Sequence, residues 1–358
     1  MTSLLYRTDI DAVRGRLTTW WNGGDIGRPV MLLTAPRQEP LENIPVLPKP
    51  ETWTTRYSTS NYAYRVNLAE RACAGTHYLG EAVPQVAPDL GANCLALYLG
   101  CQAVDGLDTV WFKPCIVDPE AARFELDPNG FYWQFTLRLA RDQARIGKGK
   151  FLTSFPDLIE GLDTLAAMRD TQPLLIDLLE RPNWVHDALR QITARYFECY
   201  DMLYEMIADE RKGSHFWAWA PGRMSKFQCD FSAMISPAMF ADFMMPVLAE
   251  MTARVDYCIY HWDGPGAIPH HDLLLSLPDL DVLQWTPGAG AASTTDPRWW
   301  RLYHKTIDAG KRVMIGVQDV QGLLALREEF GPKLKQFLIR MRAESLDEAE
   351  RILRLVNE

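Results

Sequence analysis

The sequence lacks any uninterrupted apolar stretch of about 18 residues, the minimum for an ordinary transmembrane helix. It also lacks a basic cluster. Lys and Arg total 37 against 46 Asp and Glu, for a net charge of -9. A nucleic-acid partner is gripped through clustered Lys and Arg, so none is expected. The nearest approach, Arg145-Ile-Gly-Lys-Gly-Lys150, is short and reads as a solvated turn. The seven cysteines are scattered singly with no paired spacing, which predicts reduced thiols and a cytoplasmic setting. There is no Gly-rich dinucleotide loop, tandem repeat or low-complexity linker. The N-terminal "MTSLLYRTDIDAVRGRL" carries charges among its apolar positions and reads as an amphipathic helix, not as a signal peptide.

What the chain does have is a large apolar fraction, 47% of 358 residues, and 12 tryptophans. Short apolar runs alternate with polar or aromatic clusters and helix-like segments, the pattern of βα units around a parallel sheet. Eight runs read as strands: Pro29–Ala35, Cys94–Gly100, Lys150–Phe155, His215–Trp219, Tyr257–Trp262, Val282–Thr286, Val313–Val317 and Leu338–Met341. Among the intervening segments, Pro237–Val255 follows Ser236 as N-cap with Pro237 at the first helical position, and Pro246 inside it predicts a kink or break. Ser345-Leu-Asp-Glu348 is a capping box opening a last helix, Leu346–Val356. Eight strands with helices between them predict an α/β fold of the TIM-like (β/α)8 barrel type, one domain over residues 1–358 with a helical and loop extension over about 1–90. A doubly wound open sheet is the alternative.

A barrel of this kind carries its active site at the C-terminal ends of its strands. Those ends supply Arg37; Asp157; Trp217, Trp219 and then Asp230; His261, Trp262 and Asp263; Trp285; Gln318 and Asp319; and Arg342 and Glu344. The stretch "IYHWDGPGAIPHHD" is the most telling, because an apolar strand ends there in His-Trp-Asp and then turns away through Gly-Pro-Gly. His261 and Asp263 stand at i and i+2 and share a face. They read as two ligands of a divalent metal, with Glu344, Asp230 or Gln318 as a third, or as an acid/base pair. His270 and His271 read as helix-start residues in a capping or exposed role. Trp20-Trp21 and Trp299-Trp300 read as exterior packing, whereas Trp217, Trp219, Trp262 and Trp285 are candidates for an aromatic platform.

The segment "KFLTSFPDLIEGLDTLAAMRDTQPLLIDLLERPNWVHDAL" resembles the uroporphyrinogen decarboxylase superfamily, which includes zinc-dependent, corrinoid-linked methyltransferases. "CDFSAMISPAMFADFMMPVLAEM", "RVMIGVQDVQGLL" and "LIRMRAESLDEAERIL" resemble its later segments, from roughly Lys150 to the C-terminus. The resemblance implies a distorted (β/α)8 barrel. The decarboxylases carry an Arg-rich phrase after the first strand; here it reads "LLTAPRQEP", with Arg37 alone. The methyltransferases carry His-x-Cys after the fifth strand and a second Cys near the seventh. Here the fifth strand ends His261-Trp262-Asp263, and no Cys lies beyond Cys258. Aspartate in place of thiolate makes a harder site.

Three reactions fit these residues. The first is metal-assisted methyl transfer to a small substrate, with zinc or another divalent metal on His261 and Asp263 and a corrinoid supplied by a separate partner protein. The second is acid/base cleavage of a carbohydrate, with Asp230, Asp263 and Glu344 as acid and base and the tryptophans as platform. The third is decarboxylation, with Arg37 and Arg342 holding substrate carboxylates. Substrate contacts are expected from Arg37, Asp157, Trp217, Trp219, Trp262, Trp285, Gln318 and Arg342. No membrane partner is expected, and a homodimer is left open.

Overall fold

The computed structural model describes residues 3–107 and 109–357. Its centre is a seven-stranded sheet: β1 (Val30–Pro36), β2 (Thr76–Gly80), β3 (Met224–Gln228), β4 (Tyr257–Asp263), β5 (Val282–Thr286), β6 (Arg312–Gly316) and β7 (Phe337–Arg342), in the order β2-β1-β7-β6-β5-β4-β3. Every pairing is parallel except β1 with β2. The six parallel strands therefore bring their C-terminal ends to one edge. Helices cover the sheet, including Pro182–Ile207, Pro237–Ala253, Val320–Phe330 and Leu346–Asn357. No helix among the described residues is long and apolar enough to cross a membrane.

The fold is thus mixed α/β with a mostly parallel central sheet, and among the described residues no closed sheet is found. The open side between β3 and β2 is spanned by short pieces. Gln85–Val86 pairs in parallel with Leu152–Thr153, and Phe155 N–H donates to the His215 carbonyl at 3.0 Å. The expected strand His215–Trp219 is instead a tight antiparallel hairpin, Ser214–Phe216 with Ala218–Ala220. The expected strand Cys94–Gly100 is a helix, Cys94–Tyr98. Its run "CLALY" has no β-branched residue, and leucine, alanine and tyrosine accept a helix once a cap is present. Asn93 supplies that cap, its side-chain oxygen accepting the Ala96 N–H at 3.3 Å.

Strand β3 was not anticipated, because "MSKFQ" carries three polar residues and reads as a loop; all five residues are buried. The helix Pro182–Ile207 supports it. Tyr196, Tyr200 and Tyr204 lie four residues apart on one face. The Tyr196 hydroxyl lies 2.5 Å from Ser225 Oγ, and the Tyr200 hydroxyl donates to the Met224 carbonyl at 3.0 Å. The helix expected from Pro237 forms over Pro237–Ala253, with Ser236 accepting the Met239 N–H; of the kink or break expected at Pro246, no break occurs and the helix runs through it. All seven cysteines are free; Cys101 and Cys115, apart in sequence, bring their sulfurs to 3.7 Å.

The helix Ile10–Trp21 buries Ile10, Val13, Arg14, Leu17, Trp20 and Trp21. A buried carboxylate ties it to the sheet. Glu81, just after β2, has no exposed side-chain surface; it accepts from Arg16 Nε at 2.7 Å, Arg28 Nη2 at 2.7 Å and the Met31 N–H at 2.9 Å. Burial opposes its ionisation, but the two arginines and the amide outweigh that and hold its pKa below the usual carboxylate range. Replacing Glu81 with alanine leaves two arginines and an amide without their acceptor, a loss of about 3–5 kcal/mol. The urea midpoint of Glu81→Ala is expected to fall accordingly at pH 7, and the deficit to shrink as pH drops and wild-type Glu81 protonates; an unchanged midpoint contradicts this account.

Candidate active site

At the C-terminal edge, β4 delivers His261 and Asp263 on one face, and the turn after β3 delivers Asp230. One ligand atom from each of these three residues lies within 4.8 Å of the others. His261 Nε2 is 3.8 Å from Asp263 Oδ2. The expected third partner is therefore Asp230. Glu344 is exposed and its backbone N–H donates to Glu348, while Gln318 lies with a cavity beyond the group.

The surroundings fix these side chains. Gln284 is in register with His261 on the neighbouring strand, and its side-chain oxygen accepts from His261 Nδ1. The Gln284 amide nitrogen donates to the Trp285 carbonyl at 3.0 Å and Thr286 Oγ1 at 2.9 Å, so the amide is anchored at both ends. This arrangement puts the His261 proton on Nδ1 and leaves Nε2 with its lone pair toward Asp263. The imidazole is mostly buried, and burial with the nearby Lys226 ammonium lowers its pKa, which favours the neutral ring. Asp230 is held by Asp163, whose carboxylate accepts the backbone N–H of Asp230 and of Phe231, each at 2.8 Å. Asp230 is solvent-accessible, yet the surrounding walls desolvate it and Asp163 and Asp263 repel its charge, so its pKa is pushed up to about 7.

Lys226 was missed in the sequence and lies at the base of the group. Its side chain is fully buried on β3, with Nζ 2.6 Å from Asp157 Oδ1 and 2.5 Å from Gln228 Oε1. Asp157 is thus brought into the site as the partner of a cation. Next to it, Glu160 is buried, accepts the Gln228 N–H at 2.6 Å, and has its pKa driven well up by burial. The available signal is the pair Lys226-x-Gln228, which puts two polar side chains on one strand face, with Asp230 following in the turn.

Two residues beside the site hold left-handed backbone: Ile159 at φ 58° and Trp217 at φ 60°. Both are costly for bulky side chains. Trp217 occupies the tip of the Ser214–Ala220 hairpin and sets its ring edge-to-face on His261, centroids 5.5 Å apart.

The other tryptophans go elsewhere. Trp219 is buried with its N–H donated to Asp209 at 2.8 Å and Arg14 over its ring, so it does not share a direction with Trp217; the hairpin tip between them reverses the chain. Trp262 is buried, donates to the Ala267 carbonyl at 2.9 Å, and packs on His271 and Trp285. Trp285 continues that row of rings to Trp299. His270 and His271 do open the next helical turns, but they are buried, bonded to the Ser232 carbonyl and to Thr306 Oγ1, each at 2.9 Å.

A cavity of about 880 Å³ opens beside the group, between the ends of β1, β5, β6 and β7 and Trp217. It touches the group through Gln284 and Trp217, and it includes Trp285, Gln318, Arg342 and Arg340. Arg37 is not there. Its Nε donates to the Thr76 carbonyl at 3.0 Å, and it lines a separate cavity of about 450 Å³ with Arg7, Arg16 and Arg28.

No protein-family profile and no curated protein sequence matches this chain. Its structure is similar to that of a methyltransferase from Methanosarcina mazei, with a TM-score of 0.61 and 13% sequence identity over 96% of this chain and 98% of that one. At this identity the likeness shows a shared fold.

The desolvation and like-charge crowding at Asp230 have a stability consequence. A folded-state pKa raised to about 7, against about 3.9 in the unfolded chain, means that ionising Asp230 opposes folding as pH rises between those values. In chelator-treated protein, Asp230→Asn is expected to raise the urea midpoint at pH 8 and to lose most of that gain by pH 5. Equal midpoints for the variant and wild type at pH 8 refute the crowding.

Proposed function

We propose that the protein is a methyl-transferring enzyme of the (β/α)8 type, related to the uroporphyrinogen decarboxylase superfamily, in which Asp230, His261 and Asp263 hold a divalent metal. The observation that carries this reading is the convergence of one nitrogen and two carboxylates within 4.8 Å at the C-terminal edge of the sheet. The residues fit such an ion. Asp263 Oδ1 is buried without a hydrogen-bond partner, and His261 Nε2 is left unprotonated by the Gln284 contact. A donor set of two oxygens and one nitrogen suits zinc or a harder divalent ion. The fold shared with a methyltransferase supports the reaction class.

A bound ion there supplies Lewis acidity toward the acceptor of the methyl group. The chain's own residues do the rest. Gln284 fixes the His261 tautomer, Asp163 holds the Asp230 turn in place, and the Trp217 ring shields one side of the imidazole. Lys226 offsets part of the negative charge that three nearby aspartates concentrate. A separate corrinoid protein is the methyl donor that the sequence resemblance implies. Glycoside cleavage finds less support, because Trp219 and Trp262 are buried away from the cavity.

The test is elemental analysis of protein purified without a histidine tag, followed by methylcobalamin consumption with a panel of small thiols. About one divalent ion per chain is expected in the wild type, with His261→Ala and Asp263→Asn losing the metal and at least 100-fold in transfer rate. A metal-free wild type that still folds, or metal retained in both variants, overturns the assignment.

A further inference from the structure

Two cavities in this molecule are lined by arginines, and they differ in one decisive respect. In the smaller, every guanidinium already has a partner within the protein. Arg16 and Arg28 bind Glu81, Arg7 binds Asp9 and two backbone carbonyls, and Arg37 binds the Thr76 carbonyl. The larger cavity, beside the metal-ligand group, is lined by Arg56, Arg340 and Arg342 and by no aspartate or glutamate. Among the described residues, neither the Arg340 nor the Arg342 guanidinium has an ion pair or hydrogen bond; Arg56 bonds only the Tyr57 hydroxyl, at 2.5 Å. A chain with net charge -9 has an excess of carboxylates available to neutralise arginines, and none is placed here.

The geometry is built for a ligand. Arg340 and Arg342 stand at i and i+2 on β7 and so point to one face of the strand. Arg340 is in register with Gly316 on β6 and Leu32 on β1, and Arg342 with Thr34. The space at Gly316 is open, since a Cβ built there would meet nothing within 4 Å. Arg340 is open to the cavity's solvent, yet the surrounding walls desolvate it and lower its pKa, with no carboxylate among the cavity's lining residues to offset this. A planar guanidinium forks onto two oxygens of a carboxylate, phosphate or sulfonate, and such paired bonds are about twice as strong as neutral ones.

We propose that this cavity is an oxyanion-binding subsite in which Arg340 and Arg342 grip the charged end of a small anionic substrate. The substrate then extends past Gln284 and Trp217, the two residues that both line the cavity and contact His261, toward the group of Asp230, His261 and Asp263. The anion site stands on the cavity alone; the identity of the reacting end rests on the methyl-transfer reading. A volume near 880 Å³ accommodates a metabolite-sized molecule.

The experiment is isothermal titration calorimetry of the wild-type protein with inorganic phosphate, methanesulfonate and acetate, at ionic strength held constant with chloride. At least one of the three is expected to bind saturably, and the preferred one names the oxyanion. Its Kd is expected to rise at least tenfold in Arg340→Gln, to become unmeasurable in Arg340→Gln/Arg342→Gln, and to recover in part in Arg340→Lys, with near-ultraviolet circular dichroism confirming each fold. His261→Ala and Asp263→Asn are expected to bind the anion like the wild type. Anion binding that persists in those variants while the wild type transfers no methyl group keeps the subsite and removes the methyl-transfer reading. Saturable binding of none of the three by the wild type, or undiminished binding by the double variant, overturns the subsite.

Discussion

A fully buried ammonium organises this site. Lys226 lies inside a parallel sheet, where an unpaired charge costs several kcal/mol, so its position demands an anion within contact distance. Asp157 provides it at 2.6 Å and Gln228 adds a second acceptor. Both are held in place in turn: Asp89 accepts the Asp157 N–H, Glu160 accepts the Gln228 N–H, and Asp163 holds the Gln228 amide and the following turn. The result is an acidic group assembled around one cation, in which Asp230 and Asp263 are the members that project toward open space. Removing Lys226 would leave that group with unrelieved repulsion, which is why a residue with no exposed surface governs those that do have it.

The parallel sheet explains why such different charges meet. Strand ends β3 and β4 carry the carboxylates and histidine, whereas β7 carries the arginines, and all three finish at one edge. Between them sit Gln284 on β5 and Trp217 on the hairpin tip. The site is therefore two compartments of opposite sign with a shared polar and aromatic wall. A parallel arrangement achieves this without long loops, since each strand needs only to end in the right residue.

The sequence made the parallel strands legible wherever a β-branched or aromatic run ended in chemistry-bearing residues, as in "YCIYHWD" and "RVMIG". His261 and Asp263 could be paired from spacing alone. Asp230 could be placed near them only as one of several carboxylates, because its position depends on β3, whose buried Ser225, Lys226 and Gln228 look like a surface loop. The run at 94–98 misled in the opposite way: an unbroken apolar stretch has no period, and only the Asn93 cap decides for a helix. Tryptophans at strand ends read as platforms; in the fold Trp262 and Trp285 join a row of packed rings with Trp299, and of the two only Trp285 also borders the cavity. Arg340 escaped notice because nothing in the order of residues says which arginines already have partners; that is a property of the folded charge map.

The left-handed residues Trp217 and Ile159 carry a consequence for how this protein tolerates change. Each holds a bulky side chain where glycine is at ease, at a cost of about 1–3 kcal/mol. Each also borders the site, one by covering His261 and the other by leading into Glu160. The backbone positions that are easiest to relax are thus the ones that shape the walls around His261 and Glu160. Glycine at either position relieves that strain and in the same move loosens the surroundings of His261 or Glu160, so stability and local rigidity pull against each other there.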